Sequence, residues 1–396
     1  MDSLKSADNK NEPRFYAPYI ILFFISIASS MLPPLLGALF LKPYGFLPDA
    51  LHNARLNAYT ASIGFYFVGS IFGGYICGVL CDNVGEKKVL LFYCIGSLIA
   101  LLLSCFSLVI ANLSLFFLSR IIDGFSTSRV ALLSLLARFN EPKSSVFRKA
   151  EIMNALGLFL GPLACGFLVN FKSEVPLYYY ATPFLIALAM NTINLFFILR
   201  FKERKIIKGE GRVKLKDYKH PIFIEFSLYQ LAWYFYFIAI VPIAIYRFGF
   251  NSSQLGILFS AMIAIYILFL NLIRLLPTQA IEAKKGQNLV ILVGITALIS
   301  IGFFRTMPIF FLGNFFILLA TSILTPEYLA AVSKVVSKDH YGVVMGIQTT
   351  IIACCSAAAA FISGLMLDFF LGLPLYFAAL LLSILLFYRL CSKVTS

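Results

Sequence analysis

The chain has 396 residues, of which 60% are hydrophobic and 13% charged, and it carries a formal net charge of +14. Soluble domains carry about 25% charged residues, so this composition excludes a water-exposed globular surface and points to lipid as the solvent. The basic balance does not imply nucleic acid, because the charges are scattered over loops with no nucleic-acid motif around them.

A bilayer core of about 30 Å needs roughly 20 apolar residues in helix. In chain order, that criterion predicts twelve segments, at 15–40, 57–81, 88–110, 113–138, 150–171, 179–201, 221–246, 253–276, 287–304, 307–331, 341–368 and 373–390. The tenth is expected to be interrupted at Pro326 and Glu327. Most connections are shorter than a dozen residues and leave no room for a soluble domain. The polar start "MDSLKSADNKNEPRFY" has no small-residue cleavage site after the first apolar run, so that run is read as a retained first helix.

Charge sets the expected orientation. With the N-terminus on the cytoplasmic side, cytoplasmic segments hold 25 of the 32 Lys and Arg. External loops hold five, Lys42, Arg55, Lys172, Arg247 and Arg305, while Arg120 and Arg129 fall inside the fourth segment. This is the positive-inside bias; it puts both termini in the cytoplasm. The longest connection, 201–220, is a basic linker suited to anionic headgroups. It divides the chain into a first six-helix unit, 1–200, and a second, 221–396.

Other chemistry is thinly represented. Cys77 and Cys81 are spaced i,i+4, but no His or carboxylate cluster completes a metal site. No Walker-type phosphate loop occurs. The Asn-x-Ser triplets at Asn112 and Asn251 lie in very short turns beside the bilayer and are read as chance.

The stretch "GVLCDNVGEKK", 78–88, is a compact charged turn between the second and third segments. It resembles the signature loop of the major facilitator superfamily, G-x-L-x-D-R-x-G-R-[RK], through Gly78, Leu80, Asp82, Gly85 and Lys87, followed by Lys88. Asn83 and Glu86 stand where the pattern has Arg. The equivalent turn of the second half, "LLPTQAIEAKKGQNLV", keeps Lys284, Lys285 and Gly286 but has no Asp. In "LSRIIDGFSTS", 118–128, Arg120 and Gly124 resemble the family's fourth-helix pattern, with Asp123 where Gln is frequent. In "GLFLGPLACG", 157–166, Gly157, Gly161, Pro162 and Gly166 resemble the fifth-helix signature of drug–proton antiporters of the tetracycline and multidrug efflux type, with Cys165 replacing one Gly.

The residues have readings of their own. Asp82, placed just past the end of the second helix, can accept bonds from the N-terminus of another helix; the start of the eleventh, 341–345, is the expected partner. Arg120 and Asp123 share a helix face and can pair, and charge at that depth marks a functional site. Arg129 is nine residues on, about 180° around an unbroken helix from Arg120, so it is expected to face another wall. Glu86 is expected to form a sign-reversed pair with Arg129 or Arg138.

The resemblance implies an all-α integral membrane fold of two pseudo-symmetric six-helix bundles, with no cofactor, no metal and no catalytic group. It implies alternating access, with the 78–88 loop latching the halves. Helices 1, 4, 7 and 10 would line the cavity, making Gln230, Trp233, Tyr234 and Glu327 substrate contacts. Asp123, modulated by Arg120, and Glu327 are the proton-coupling candidates. The resulting expectation is a monomer in a bacterial inner membrane that exports a small solute against protons. Two alternatives stay open: proton-coupled uptake of a nutrient, amino acid or siderophore, and a non-transporting membrane receptor or scaffold.

Overall fold

The computed structural model describes residues 16–42, 45–48, 50–137, 143–169, 176–200, 221–273, 284–335 and 341–391. The first set of helices comprises α1 (Ala17–Ser30, continuing as Leu32–Leu41), α2 (His52–Val84), α3 (Glu86–Val109), α4 (Leu113–Phe125 and Arg129–Ala137), α5 (Lys143–Leu168) and α6 (Thr182–Arg200, led in by a 3₁₀ turn at Leu177–Ala181). The second comprises α7 (Pro221–Phe248), α8 (Ser252–Ile273), α9 (Lys284–Phe303), α10 (Met307–Val335), α11 (Tyr341–Phe369) and α12 (Leu373–Cys391). Eleven of these twelve are long and apolar enough to cross a bilayer. The exception is α4, which is divided into two short segments. Phe72, Phe92, Phe196, Phe303 and Phe387 are among the large side chains left exposed, as expected of a surface that meets lipid.

The breaks have local causes. Pro33 and Pro34 open the second segment of α1, where missing N–H groups cost nothing. In α4 the run Ser126-Thr127-Ser128 interrupts the helix; such side chains compete for backbone partners. The Ser126 N–H still bonds to the Ile122 and Asp123 carbonyls, ending the first segment. Pro326, expected to interrupt α10, does not: the helix runs through it. α2 extends past the predicted 57–81 at both ends, and α5 starts at Lys143 rather than 150.

Helix pairing repeats with a shift of six. In the first set α1 packs on α5 and α6, α2 on α4, and α3 on α4 and α6. In the second set α7 packs on α11 and α12, α8 on α10, and α9 on α10 and α12. The same shift converts the main cross-half pairing, α2 with α11, into the other, α8 with α5. The chain is thus two pseudo-symmetric six-helix bundles joined along two equivalent seams.

Several odd residues are helix-end fittings. Asn112 accepts from the Leu115 N–H at 2.9 Å and caps α4. Asn251 and Gln254 bond each other's backbone N–H groups, both at 2.9 Å, in a reciprocal capping box at the start of α8. The two Asn-x-Ser triplets therefore have a structural explanation. Arg247 donates to the Ile301 and Gly302 carbonyls at the end of α9, 2.7 and 3.4 Å away. Lys87 does the same for α6 through Leu199, at 3.3 Å. A cation suits a helix C-terminus.

Candidate functional site: the crevice between the halves

The α2–α11 seam is built on glycine. A Cβ at Gly78 would strike the Gly342 backbone and one at Gly342 would strike Gly78 and Asp82, while Gly346 faces Gly74. Four glycines at i,i+4 spacing let two helices approach closely enough for backbone to touch backbone. That approach brings the Asp82 carboxylate to the first turn of α11. The Gly342 N–H donates to Oδ1 at 3.3 Å and the Val343 N–H to Oδ2 at 3.1 Å. The contact expected for Asp82 is present, although Asp82 lies inside the last turn of α2, which runs to Val84, rather than past its end. Gly85, at φ 101°, then turns the chain sharply into α3. At the far end of the same seam Asn57 Nδ2 donates to Asp368 Oδ2 at 2.9 Å.

The second seam uses the helix-5 residues in two directions. Gly157 and Gly161 lie against α1, where side chains would meet the Phe23 and Ile27 backbone. Pro162 and Gly166 lie against α8, with the Pro162 carbonyl facing Gly256. Ser260 and Ser253 of α8 donate to the Phe159 and Gly166 carbonyls at 2.7 and 2.8 Å.

Arg120 and Asp123 form an ion pair at 2.7 Å, with side chains 2% and 17% exposed. The Arg120 guanidinium stacks 4.9 Å over the Tyr66 ring of α2. Asp123 receives Ser97 of α3 at 3.5 Å, Ser97 receives Asn191 of α6 at 3.1 Å, and Asn191 receives Asn194 at 3.3 Å. The pair therefore belongs to a polar network inside the first bundle, turned toward α3 and α6.

Arg129 behaves differently from its sequence expectation. The turn at 126–128 breaks the helical phase, so the count from Arg120 no longer applies. Arg129 is exposed and within electrostatic range of the Tyr234 hydroxyl of α7 and the Tyr266 hydroxyl of α8. Among the described residues it makes no ion pair, so the reversed pair with Glu86 does not form through it. Arg138 lies outside the described residues. Glu86 is buried in the first turn of α3, where a carboxylate suits the dipole.

The other expected contacts separate. Tyr234 meets Phe67 of α2 across the crevice, ring centroids 5.2 Å apart. Gln230 is one turn away on the same face and is buried. Trp233 instead lines a small apolar cavity within the second bundle, among Gly294 of α9, Thr321 of α10 and Leu382 of α12. Glu327 is half-buried on α10 and has no hydrogen-bond or ion-pair partner among the described residues. Lys88 is exposed at the start of α3.

Two further acids have places that the sequence motifs do not mark. Glu225, one turn inside α7, pairs with the buried Arg389 of α12 at 3.5 Å, and Arg389 also bonds to Gln287 of α9. Glu151 is exposed on α5 and acts electrostatically on Tyr266. Starting α5 at 150 placed it at a helix end; the true start at Lys143 sets it two turns inside.

A family model described as Major Facilitator Superfamily matches residues 19–304. The chain belongs to that superfamily. Its members are transporters, not enzymes, and this chain is an integral membrane protein of that kind. It is 23% identical over 378 residues to multidrug resistance protein 2 of Bacillus subtilis, covering 90% of this chain and 91% of that one. It is 25% identical over 247 residues to the class H tetracycline resistance protein of Pasteurella multocida, covering 59% and 58%. Among solved superfamily structures, the human organic anion transporter MFSD10 superposes with a TM-score of 0.74 at 18% identity, covering 96% of this chain and 100% of that one. The E. coli xylose transporter XylE superposes at 0.71 and 13% identity, with 95% of each chain covered. At these identities the structures speak for the fold alone.

Proposed function

We propose that this superfamily member is a proton-coupled exporter of small amphipathic solutes, working as a monomer in a bacterial inner membrane with both termini cytoplasmic. The observation that carries the transport mechanism is the pair of symmetry-equivalent seams, α2–α11 and α5–α8. Two bundles joined along close, glycine-lined seams can rock against each other, closing one face as they open the other. On this reading the units are 1–200 and 221–396, joined by the linker 201–220, and Asp82 with Gly78, Gly85, Glu86, Lys87 and Lys88 forms the cytoplasmic latch.

Export is favoured over uptake by the Gly157, Gly161, Pro162 and Gly166 pattern of α5 and by the efflux names of the two relatives. Asp123, a half-buried acid within the first bundle, is assigned to the proton, with Arg120 as its modulator. The two pair at 2.7 Å, so a rocking motion that parts them would tie this site to the inward–outward change.

The test is solute flux in sealed vesicles under imposed pH gradients of either sign, screened over drugs, amino acids and siderophores. The expected result is accumulation of a drug-like solute against its gradient when protons run the other way, abolished by Asp123→Asn. Uptake with the proton, or undiminished coupling in Asp123→Asn, would overturn the direction or the assignment respectively.

A further inference from the structure

Two charged side chains in the crevice have no task in the packing. Glu151 of α5 and Arg129, first residue of the second α4 segment, are both exposed. Neither has an ion pair or hydrogen bond among the described residues.

The rest of α5 tells which way Glu151 faces. Ile152, Leu156 and Leu160 form an exposed apolar stripe, which marks the lipid side. Asn154, Gly157 and Gly161 meet α1, while Pro162 and Gly166 meet α8. At 3.6 residues per turn, Glu151 lies about three turns before Pro162 on nearly the same line, between the α1 and α8 contacts. That arc looks into the crevice, and Tyr266 of α8 feels the charge there. Arg129 is within electrostatic range of the same phenol and of Tyr234.

Arg129 is not placed for the stability of its own segment, since a cation in the first turn opposes the helix dipole. Ionised groups at membrane depth are costly and ordinarily pair. Here opposite charges lie within range of one phenol without pairing, and aromatic rings stand at the same crevice: Tyr234 and Phe67 meet across the halves, and Tyr66 packs edge-on against Phe67.

We propose that Arg129 and Glu151 form a two-point site for a zwitterionic solute. Arg129 takes its acidic group, Glu151 takes its basic group, and the tyrosines hold a flat aromatic body between them. The proposal rests on the transporter reading above and names its substrate class.

The test is equilibrium binding to full-length protein in lipid nanodiscs, without a pH gradient. Three xanthene dyes of similar shape are the probes: zwitterionic rhodamine B, its cationic ethyl ester and anionic fluorescein. Wild-type protein should bind rhodamine B about tenfold tighter than either the cationic ester or anionic fluorescein, the worth of one close charge pair. Glu151→Gln should weaken rhodamine B and the ester about tenfold and leave fluorescein unchanged. Arg129→Gln should weaken rhodamine B and fluorescein and spare the ester, and Arg129→Lys should keep most of the affinity. Elution profile and melting temperature establish that each variant is folded; if a variant is not, the wild-type order alone decides. A wild-type protein that does not prefer rhodamine B, or variants that weaken all three dyes alike, would overturn the proposal. Gradient-driven flux of any solute in the presence of that result leaves the transporter reading standing, whereas absence of all gradient-driven flux removes it.

Discussion

Asp82 places both carboxylate oxygens on backbone N–H groups of α11. An asparagine there offers one acceptor oxygen and no charge to complement the helix N-terminus. Asp82→Asn should therefore weaken the seam by about 1–3 kcal/mol and slow transport while expression stays intact; vesicle flux at full rate would reject the latch. The Arg120–Asp123 pair makes a different prediction. Arg120→Leu leaves a mostly buried carboxylate without its cation and should cost about 3–5 kcal/mol, whereas the double variant Arg120→Leu/Asp123→Leu should recover most of it. Thermal unfolding in nanodiscs measures the stability, and flux measures coupling. A double variant that is stable but uncoupled assigns the pair a role in proton movement; one that is stable and fully coupled leaves it structural. Asp82 was legible in the sequence because a dense motif fixes its surroundings. Arg129 was not, because counting 3.6 residues per turn assumes a helix that 126–128 interrupts. Glu151 was lost through a boundary: hydropathy starts α5 where the apolar run starts, and the helix begins a polar two turns earlier.

Among the elements, α5 shows how small residues divide one helix between two neighbours. Gly157 and Gly161 bind it to its own bundle, and Gly166 and Pro162 to the other. The α8 partner of Pro162 is Gly256, where a methyl group would strike the Pro162 carbonyl, a backbone atom that cannot swing aside. Ser260, four residues on, contributes a single hydrogen bond. Gly256→Ala should thus reduce both melting temperature and flux, while Ser260→Ala should cost only about 1 kcal/mol and keep transport. The reverse order would mean that the seam is held by hydrogen bonds rather than by close approach. The Gly-Pro spacing could be read from sequence, but the direction each glycine faces could not, since that depends on which helices flank α5 in space. Pro326 carries the opposite lesson. A proline flagged as a break is accommodated within a continuous α10, because neighbouring helices and local adjustment can satisfy the freed carbonyl in a membrane helix.

For the whole molecule, hydropathy and charge were enough to count the helices and orient the expectation, since lipid imposes a length and an apolar surface on each span. The seams were beyond that reach, because they depend on tertiary pairing. Along α2–α11 the halves touch at both ends, through Asp82 with Gly342 and Val343 at one and Asn57 with Asp368 at the other. A transporter that rocks must part these contacts in turn. Cysteines placed at 57 and 368, in a background lacking the exposed Cys354 and Cys391, can be joined by a short, reducible bis-thiosulfonate linker. Complete cross-linking should stop flux, and reductant should restore it. Binding of rhodamine B from the opposite face should survive the cross-link, because Arg129 and Glu151 lie nearer the Asp82 end of the crevice by helix position. Undiminished flux with the linker in place would mean that the halves do not separate along this seam, and that the second seam, α5–α8, alone opens the path.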